Sequence, residues 1–388
     1  MSDHRGHPGR HRDPLPYVVV RTSERTGALP DRCATWARRT GTEVQVLGPV
    51  DRDTLSAVLD QGQYAGVVVE VTPVRHDDTV AAAVTHAGRP VVAVNRDVPS
   101  DDRSVVEAAC TTTISGRGTS GYLWALGHLH ALCTHPPTTV PYGDHDAQIG
   151  DLRLLTTPPR APVVVLVHGG FWRHEWGRDL MDGLAPDLSR RGYGTWNIEY
   201  RRVGPTGGGW PRTGHDVVRA VTRLAALTAD RVDLDRVVLL GHSAGAQLAL
   251  RAAEQLRTHH RPPALVVSLS GVFDLGAAVR EGVGWGSVEA FVGGGPDEVP
   301  EAYRAAAPIA HLPLGVPQLL VHGTGDAHVP PAQSEVFQRA SAAAGDAVEL
   351  ITAAGADHFS VLDPSTSAWA TTVAAIEDRV PSQDGSRD

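Results

Sequence analysis

The sequence predicts an α/β protein made of two parallel-sheet units in tandem, and three observations carry that expectation. The 388 residues exceed one comfortable domain at a prior of ~150 residues each. Runs that are apolar throughout, such as AGVVVEV at 65–71 and APVVVLV at 161–167, alternate with amphipathic stretches, as strands buried on both faces and joined by helices do. A Pro/Thr-rich break, THPPTTVP at 134–141, interrupts the series and reads as a linker.

The apolar fraction of 41% is enough for two cores, and a charged fraction of 20% is ordinary for a globular chain. A net charge of -9 argues against a nucleic-acid surface, which needs a basic face. The longest apolar run, around Val163–Val167, falls far short of the ~20 residues of a membrane span. The opening MSDHRGHPGRHRDP has charge but no apolar centre, so it does not read as a secretory signal and a cytoplasmic location is expected. Cys33, Cys110 and Cys133 form no disulfide framework and no zinc-binding spacing. All 35 basic residues are arginine, which removes lysine Schiff bases, lysine-anchored pyridoxal phosphate and the phosphate-loop lysine together. No cofactor and no metal are expected.

Residues 1–15 are rich in His, Arg and Gly and are expected to be a disordered tail, with His4, His7 and His11 solvated. Residues 16–133 contain five strand-like runs (YVVVRT, EVQVLG, AGVVVEV, PVVAVN and TTTISG) separated by helical stretches. Five such strands describe a flavodoxin-like parallel sheet. After the break at 134–141, a second and different α/β series fills 142–380, ending in a helix over about Ser367–Arg379 and a polar tail at 381–388.

In the second series GHSAG at 241–245 lies directly after the strand RVVLL and before the helical run AQLALRAAEQL. A sharp strand-to-helix turn there forces Ser243 into a strained conformation, and the small Gly241 and Gly245 make room for it. A serine hydroxyl is a weak nucleophile until a base takes its proton. The candidates follow on loops after later strands: Asp326 in HGTGDAHVP and His358 in GADHFS. The order Ser, acid, His with these placements is that of an α/β-hydrolase, in which Asp326 holds the imidazole and His358 serves Ser243. Asp357 and His328 are nearby decoys of lower rank. The amide of Ala244 and the loop HGGFW at 168–172 are expected to receive the developing oxyanion, each donor worth ~3–4 kcal/mol in the barrier. Gly170 and Phe171 both qualify as the second donor, and His168 is expected to brace the loop.

Residues 138–380 resemble esterases and formamidases of the arylformamidase type. The carrying motifs are YGDHDAQIGDL at 142–152, HGGFW, GHSAG, SGVFDL at 270–275, HGTGDAHVP at 322–330 and GADHFS at 355–360. The resemblance implies that Gly169, Gly170, Phe171 and Trp172 form the oxyanion hole and the pocket wall. Trp172, Trp176, Trp210, Phe273 and Phe359 are candidates for the pocket, with Tyr200 and Trp285 as further aromatic neighbours. Residues 276–310 read as a small helical insert roofing the site.

The first unit resembles type II 3-dehydroquinate dehydratase, over GVVVEVTPVRHDD at 66–78, RPVVAVNRDVP at 89–99 and ISGRGTSGYLWAL at 114–126. The departures fall on the chemistry. Glu70 stands where that family has Asn, Asn95 stands where it has a second His, and the loop after the first strand lacks the catalytic Tyr. Without that base the dehydration cannot proceed, so residues 16–133 are expected to be non-catalytic. The resemblance implies self-association into a homo-oligomer, or retained binding of a quinate-like acid by Arg75, His76 and Asn95.

The sequence therefore reads as a serine hydrolase of a small-molecule ester or amide, acting through an acyl-enzyme and needing neither nucleic acid nor membrane as partner. Two rivals are a lyase working from the N-terminal unit and a non-catalytic scaffold.

Overall fold

The computed structural model describes residues 15–23, 27–74, 76–96, 104–156, 160–228, 231–259 and 261–382. The expected tails lie outside these residues except for 15 and 381–382. Two compact units divide at Leu129 and His130, a few residues before the expected break.

The first unit contains β1 (Tyr17–Val20), α1 (Leu29–Thr40), β2 (Val44–Leu47), α2 (Arg52–Asp60), β3 (Gly66–Glu70), α3 (Asp78–His86), β4 (Val91–Asn95), α4 (Val105–Ala109) and β5 (Thr112–Ser115); α5 (Gly121–Thr134) runs across the division. All strand pairs are parallel, in the order β2-β1-β3-β4-β5. This is the flavodoxin-like order, and it reverses direction at β1/β3. β1, β3 and β4 are buried at every position, which explains why their sequences are apolar runs and not alternating ones. Local chemistry starts the helices: the Asp77 carboxylate accepts from the amides of Thr79 (2.9 Å) and Val80 (3.2 Å) at α3. Ser104 and Glu107 form a reciprocal capping box at α4.

The second unit begins with β6 (Thr138–Pro141), β7 (Ile149–Arg153), β8 (Ala161–Val167), α6 (Asp179–Asp182), α7 (Ala185–Arg190), β9 (Gly194–Ile198) and α8 (Arg212–Thr228). It continues through β10 (Val232–His242), α9 (Ala244–His259), β11 (Leu265–Leu269), α10 (Leu275–Arg280), α11 (Ser287–Val292) and α12 (Pro300–Ala306). It closes with β12 (Gln318–Gly323), α13 (Ala332–Ala343), β13 (Val348–Ala353) and α14 (Ser367–Arg379). The sheet order is β13-β12-β11-β10-β8-β9-β7-β6, with every pairing parallel except β9/β7 and β7/β6. This is the α/β-hydrolase fold. It also corrects the linker: Thr138–Pro141 pairs antiparallel with Ile149–Leu152 as the edge strand, a position that tolerates Pro141 because an edge strand has one unpaired side.

The core of this unit packs Val163, Val165 and Val167 of β8 and Leu239 of β10 against Trp196, Leu248 and Leu320, all fully buried. Trp369 of α14 is likewise buried, and its indole N–H donates to Asp187 Oδ2 at 2.7 Å, which ties the last helix to α7. Truncating such a tryptophan costs ~3–5 kcal/mol. Among the described residues no helix is long and apolar enough to cross a membrane.

Candidate active site

β10 ends at His242 and α9 begins at Ala244, so Ser243 alone makes the turn, at φ 54°. For a residue with a Cβ this left-handed conformation costs roughly 1–2 kcal/mol. It is held by the Ser243 amide donating to Leu269 O (2.8 Å) and by Ser243 O accepting from Ala246 N (3.0 Å). The flanking glycines are required by space. A Cβ on Gly241 would stand 2.4 Å from Gly245 O, and one on Gly245 would stand 2.2 Å from Val167 O. Ser243 Oγ is buried and has no hydrogen-bond partner among the described residues.

Asp326 follows β12 and His358 follows β13, and the two loops bring them together: His358 Nδ1 donates to Asp326 Oδ2 at 2.7 Å. The other carboxylate oxygen accepts from the amides of His328 and Val329, both at 2.9 Å. Burial alone would raise the Asp326 pKa, but bonds from His322, His358 and Val329 outweigh it and hold the carboxyl well below its usual range. Burial pushes His358 below the ordinary histidine value, against the pull of Asp326 and with help from His328 and His322. The ring is therefore neutral at pH 7, with its proton on Nδ1 facing an ionised carboxylate and its Nε2 lone pair available.

Of the decoys, Asp357 turns back on its own loop, its Oδ1 accepting from the amides of Phe359 (3.0 Å) and Ser360 (2.7 Å). His328 stacks on the His358 ring at 5.0 Å and bonds Asp326 only through its backbone.

The loop after β8 lies against the elbow. A Cβ on Gly169 would come within 2.9 Å of Ser243 Cβ and 2.7 Å of His242 Nδ1. Gly170 (φ 109°), Phe171 (φ 53°) and Trp172 (φ 56°) are all left-handed, a run that turns successive amides toward one side. The amides of Gly170, Phe171 and Ala244 donate to no other group among the described residues. His168 lies under the loop: its Nδ1 is 2.7 Å from Gly169 O, its Nε2 is 2.9 Å from Glu199 Oε1, and its ring stacks on Tyr200 at 4.2 Å.

The aromatic candidates separate. Trp176 stacks on Phe359 at 5.8 Å, and Phe359 lies edge-on to His358 at 5.2 Å, so Phe359 flanks the histidine and Trp176 backs Phe359. Trp172 stacks on Phe291 of α11 at 4.3 Å and donates to Gln247 Oε1 at 3.1 Å, while Trp210 meets the same Phe291 edge-on at 6.2 Å. These two anchor the insert. Phe273 is a correction: it is fully buried and stacks on Phe337 at 4.4 Å, so it belongs to the core, as an apolar side chain following a central strand commonly does. The insert over residues 276–310 does pack on the site's own elements. Gln247 of α9 donates to Ala306 O at 2.8 Å, and a Cβ on Gly284 would stand 2.8 Å from Phe171 Cδ1.

Two histidines escaped sequence reasoning. His322 Nε2 lies 3.3 Å from Asp326 Oδ2 and 3.0 Å from Val329 O, with its Nδ1 2.6 Å from Ser334 Oγ. His242 Nε2 donates to His358 O at 2.9 Å, and burial holds its pKa well below the ordinary value. Both sit at the carboxyl ends of central strands, in HGTGD and GHSAG, and that position was the available signal.

In the N-terminal unit Glu70 and Asn95, two residues of the second resemblance, are each engaged with neighbouring protein groups. Glu70 accepts from the amides of Thr22 and Ser23 (both 3.0 Å) and from Ser23 Oγ (2.7 Å), with Arg96 Nη1 at 3.6 Å. Asn95 Nδ2 donates to Glu107 Oε1 at 2.8 Å. His76 is exposed, and Arg75 lies outside the described residues.

Comparison with known proteins agrees with this architecture. The BD-FAE family model matches residues 155–340. Esterase LipC of Mycobacterium tuberculosis is 31% identical over 245 residues, 57% of this chain and 59% of that protein; the chain thus spans little more than half of that relative. A truncated carbohydrate esterase from gut microbiota superposes with a TM-score of 0.55 at 18% identity, covering 63% of this chain and 95% of that one. Carboxyl esterase 2 of the fungus Tuber melanosporum superposes with a TM-score of 0.52 at 20% identity, covering 64% and 87%. The second unit is of the α/β-hydrolase type, a fold shared with both.

Proposed function

We propose that the C-terminal unit hydrolyses small-molecule carboxylic esters through an acyl-enzyme on Ser243. One observation carries the reading: His358 Nδ1 held 2.7 Å from Asp326 Oδ2, on the sheet edge where a strained serine has no hydrogen-bond partner for its hydroxyl among the described residues. Ser243 Oγ attacks the ester carbonyl carbon while His358 Nε2 takes its proton, and Asp326 stabilises the imidazolium. The tetrahedral oxyanion is received by the amide of Ala244 and that of Gly170 or Phe171. The imidazolium then protonates the departing alcohol. Water, deprotonated by His358, attacks the acyl-serine, and collapse releases the acid and restores Ser243. The relative named as an esterase favours an ester over the formamide that the sequence resemblance also allows.

For the N-terminal unit we propose a non-catalytic role, self-association included. The mutual engagement of Glu70, Asn95 and their neighbours supports this.

The test is fluorophosphonate labelling of wild type and Ser243→Ala, with turnover of p-nitrophenyl acetate, N-formylkynurenine and dehydroquinate. Labelling that disappears in the variant, with ester turnover falling about 10 000-fold or more, is expected. Faster formamide than ester turnover moves the assignment to the formamidase branch. Dehydroquinate turnover revives the lyase, and failure of wild type to label or to turn over any substrate leaves the scaffold.

A further inference from the structure

Trp285 stands out among the described residues as the most exposed large apolar side chain, at 74%. It lies between α10 and α11 in the run EGVGWGS, where Gly284 (φ 80°), Trp285 (φ 47°) and Gly286 (φ 83°) are successively left-handed. A bulky residue in that conformation is strained, and an exposed indole gains nothing from burial to offset the strain. Among the described residues the ring meets one aromatic neighbour, Phe171, in a T-shaped pair at 6.0 Å. Phe171 is itself left-handed and half-buried. It lies two residues beyond Gly169, the glycine packed against Ser243 Cβ. The insert thus holds a large flat ring in the open, beside the loop that carries the oxyanion donors.

We propose that Trp285, with Phe171, is a specificity-determining platform that stacks a flat ring carried by the ester remote from its carbonyl. This rests on the esterase reading of the same site. Strain retained at an exposed position is what a binding contact explains and a folding contact does not. The two rings meet in the T-shaped arrangement that aromatic pairs favour, so at least one indole face stays open. A planar aryl group and the apolar face of a pyranose both offer the shape that an indole face accepts. Linear aliphatic esters such as vinyl acetate would reach Ser243 without touching the platform.

The test compares wild type, Trp285→Ala and Trp285→Phe on vinyl acetate, methyl 3-phenylpropanoate and an acetylated methyl glucoside. Stacking of one ring predicts that Trp285→Ala raises KM for a ring-bearing ester about 5- to 10-fold, leaves vinyl acetate within twofold, and is largely rescued by Trp285→Phe. Which ring-bearing ester responds distinguishes an aryl from a sugar occupant. Equal losses on all three esters, no loss on any, or a changed sedimentation coefficient without a KM effect overturns the proposal, the last in favour of a subunit contact. Because Trp285 is exposed, the variants are expected to fold, and unchanged thermal midpoints check this. Turnover of vinyl acetate by wild type keeps the esterase reading alive whatever Trp285 does. If no ester is turned over, fluorescence quenching of Ser243→Ala by 3-phenylpropanoate and by methyl glucoside decides. Quenching lost in Ser243→Ala/Trp285→Ala supports the platform, and its absence overturns it.

Discussion

At the carboxyl end of β3, Glu70 accepts two backbone amides and a hydroxyl, with a guanidinium beside it. At the carboxyl end of β10, Ser243 presents a hydroxyl with no partner among the described residues, although everything around it is fixed. Both belong to parallel sheets, and both occupy the sheet edge where such folds bring polar groups to a ligand. In the first unit the groups at that edge spend their hydrogen bonds on one another. In the second, Asp326 and His358 are bonded to each other, while among the described residues the hydroxyl and the amides of Gly170, Phe171 and Ala244 have no partner. A buried polar group left unsatisfied costs roughly 1–3 kcal/mol, so such a set is retained where something else compensates.

Breaking the satisfied support of the second edge has the largest expected effect. Asp326→Asn removes the charge that orients and stabilises the imidazolium, and kcat/KM for an ester is expected to fall about 10 000-fold with the fold intact by circular dichroism. A drop below tenfold would mean that His358 is held by something other than Asp326. Next comes the elbow itself. Gly245→Ala would drive a Cβ to 2.2 Å from Val167 O, a backbone atom that cannot step aside, so a loss of about 3 kcal/mol or more is expected in denaturant unfolding.

In the N-terminal unit, Glu70→Gln tests the other half of the comparison. The amide keeps the shape of the carboxylate and one oxygen for the amides of Thr22 and Ser23, yet it puts an amino group where Oε1 accepts from Ser23 Oγ and removes the charge beside Arg96. A stability loss of about 2 kcal/mol, confined to one unfolding transition, is expected, with ester kcat/KM within twofold of wild type. A large fall in turnover would show that the two units are coupled.

How far the sequence revealed this contrast depended on the kind of signal. Strands buried on both faces announce themselves as apolar runs, so β1, β3 and β8 were legible within a residue or two, whereas β10 begins at Val232, four residues before the run RVVLL, where polar residues interrupt the apolar pattern. GHSAG, HGGFW and the positions of Asp326 and His358 were legible because small residues at tight turns and polar residues at strand ends are local features. β6 was not, since TTVP carries turn-like composition and becomes a strand only by pairing with β7. Phe273 was misassigned and His322 missed for the same reason. Whether a side chain after a central strand faces core or site is set by packing partners distant in sequence, here Phe337 for one and Ser334 with Val329 for the other.

His322 gives the smallest effect and the sharpest one. Its Nε2 lies 3.3 Å from the same Asp326 oxygen that receives His358, so in the proposed mechanism it acts on the base through the acid, as a positioning residue. In the proposed mechanism the acid limb of kcat/KM reports His358, since only the neutral ring accepts the serine proton. Because burial and the neighbouring His328 and His322 hold the His358 pKa down, kcat/KM is expected to rise with pH and level off with a midpoint below the ordinary histidine value of 6.5. His322→Ala removes a hydrogen bond to the carboxylate and a neighbour that disfavours the imidazolium. Asp326 then draws the His358 proton more strongly, and the midpoint should move up in pH while kcat falls about tenfold with KM unchanged. His322→Gln, whose amide can donate from near the Nε2 position, should return much of both. A loss of activity with the midpoint unmoved would assign His322 to loop packing alone, and a midpoint moving down would reverse the sign of its action on Asp326.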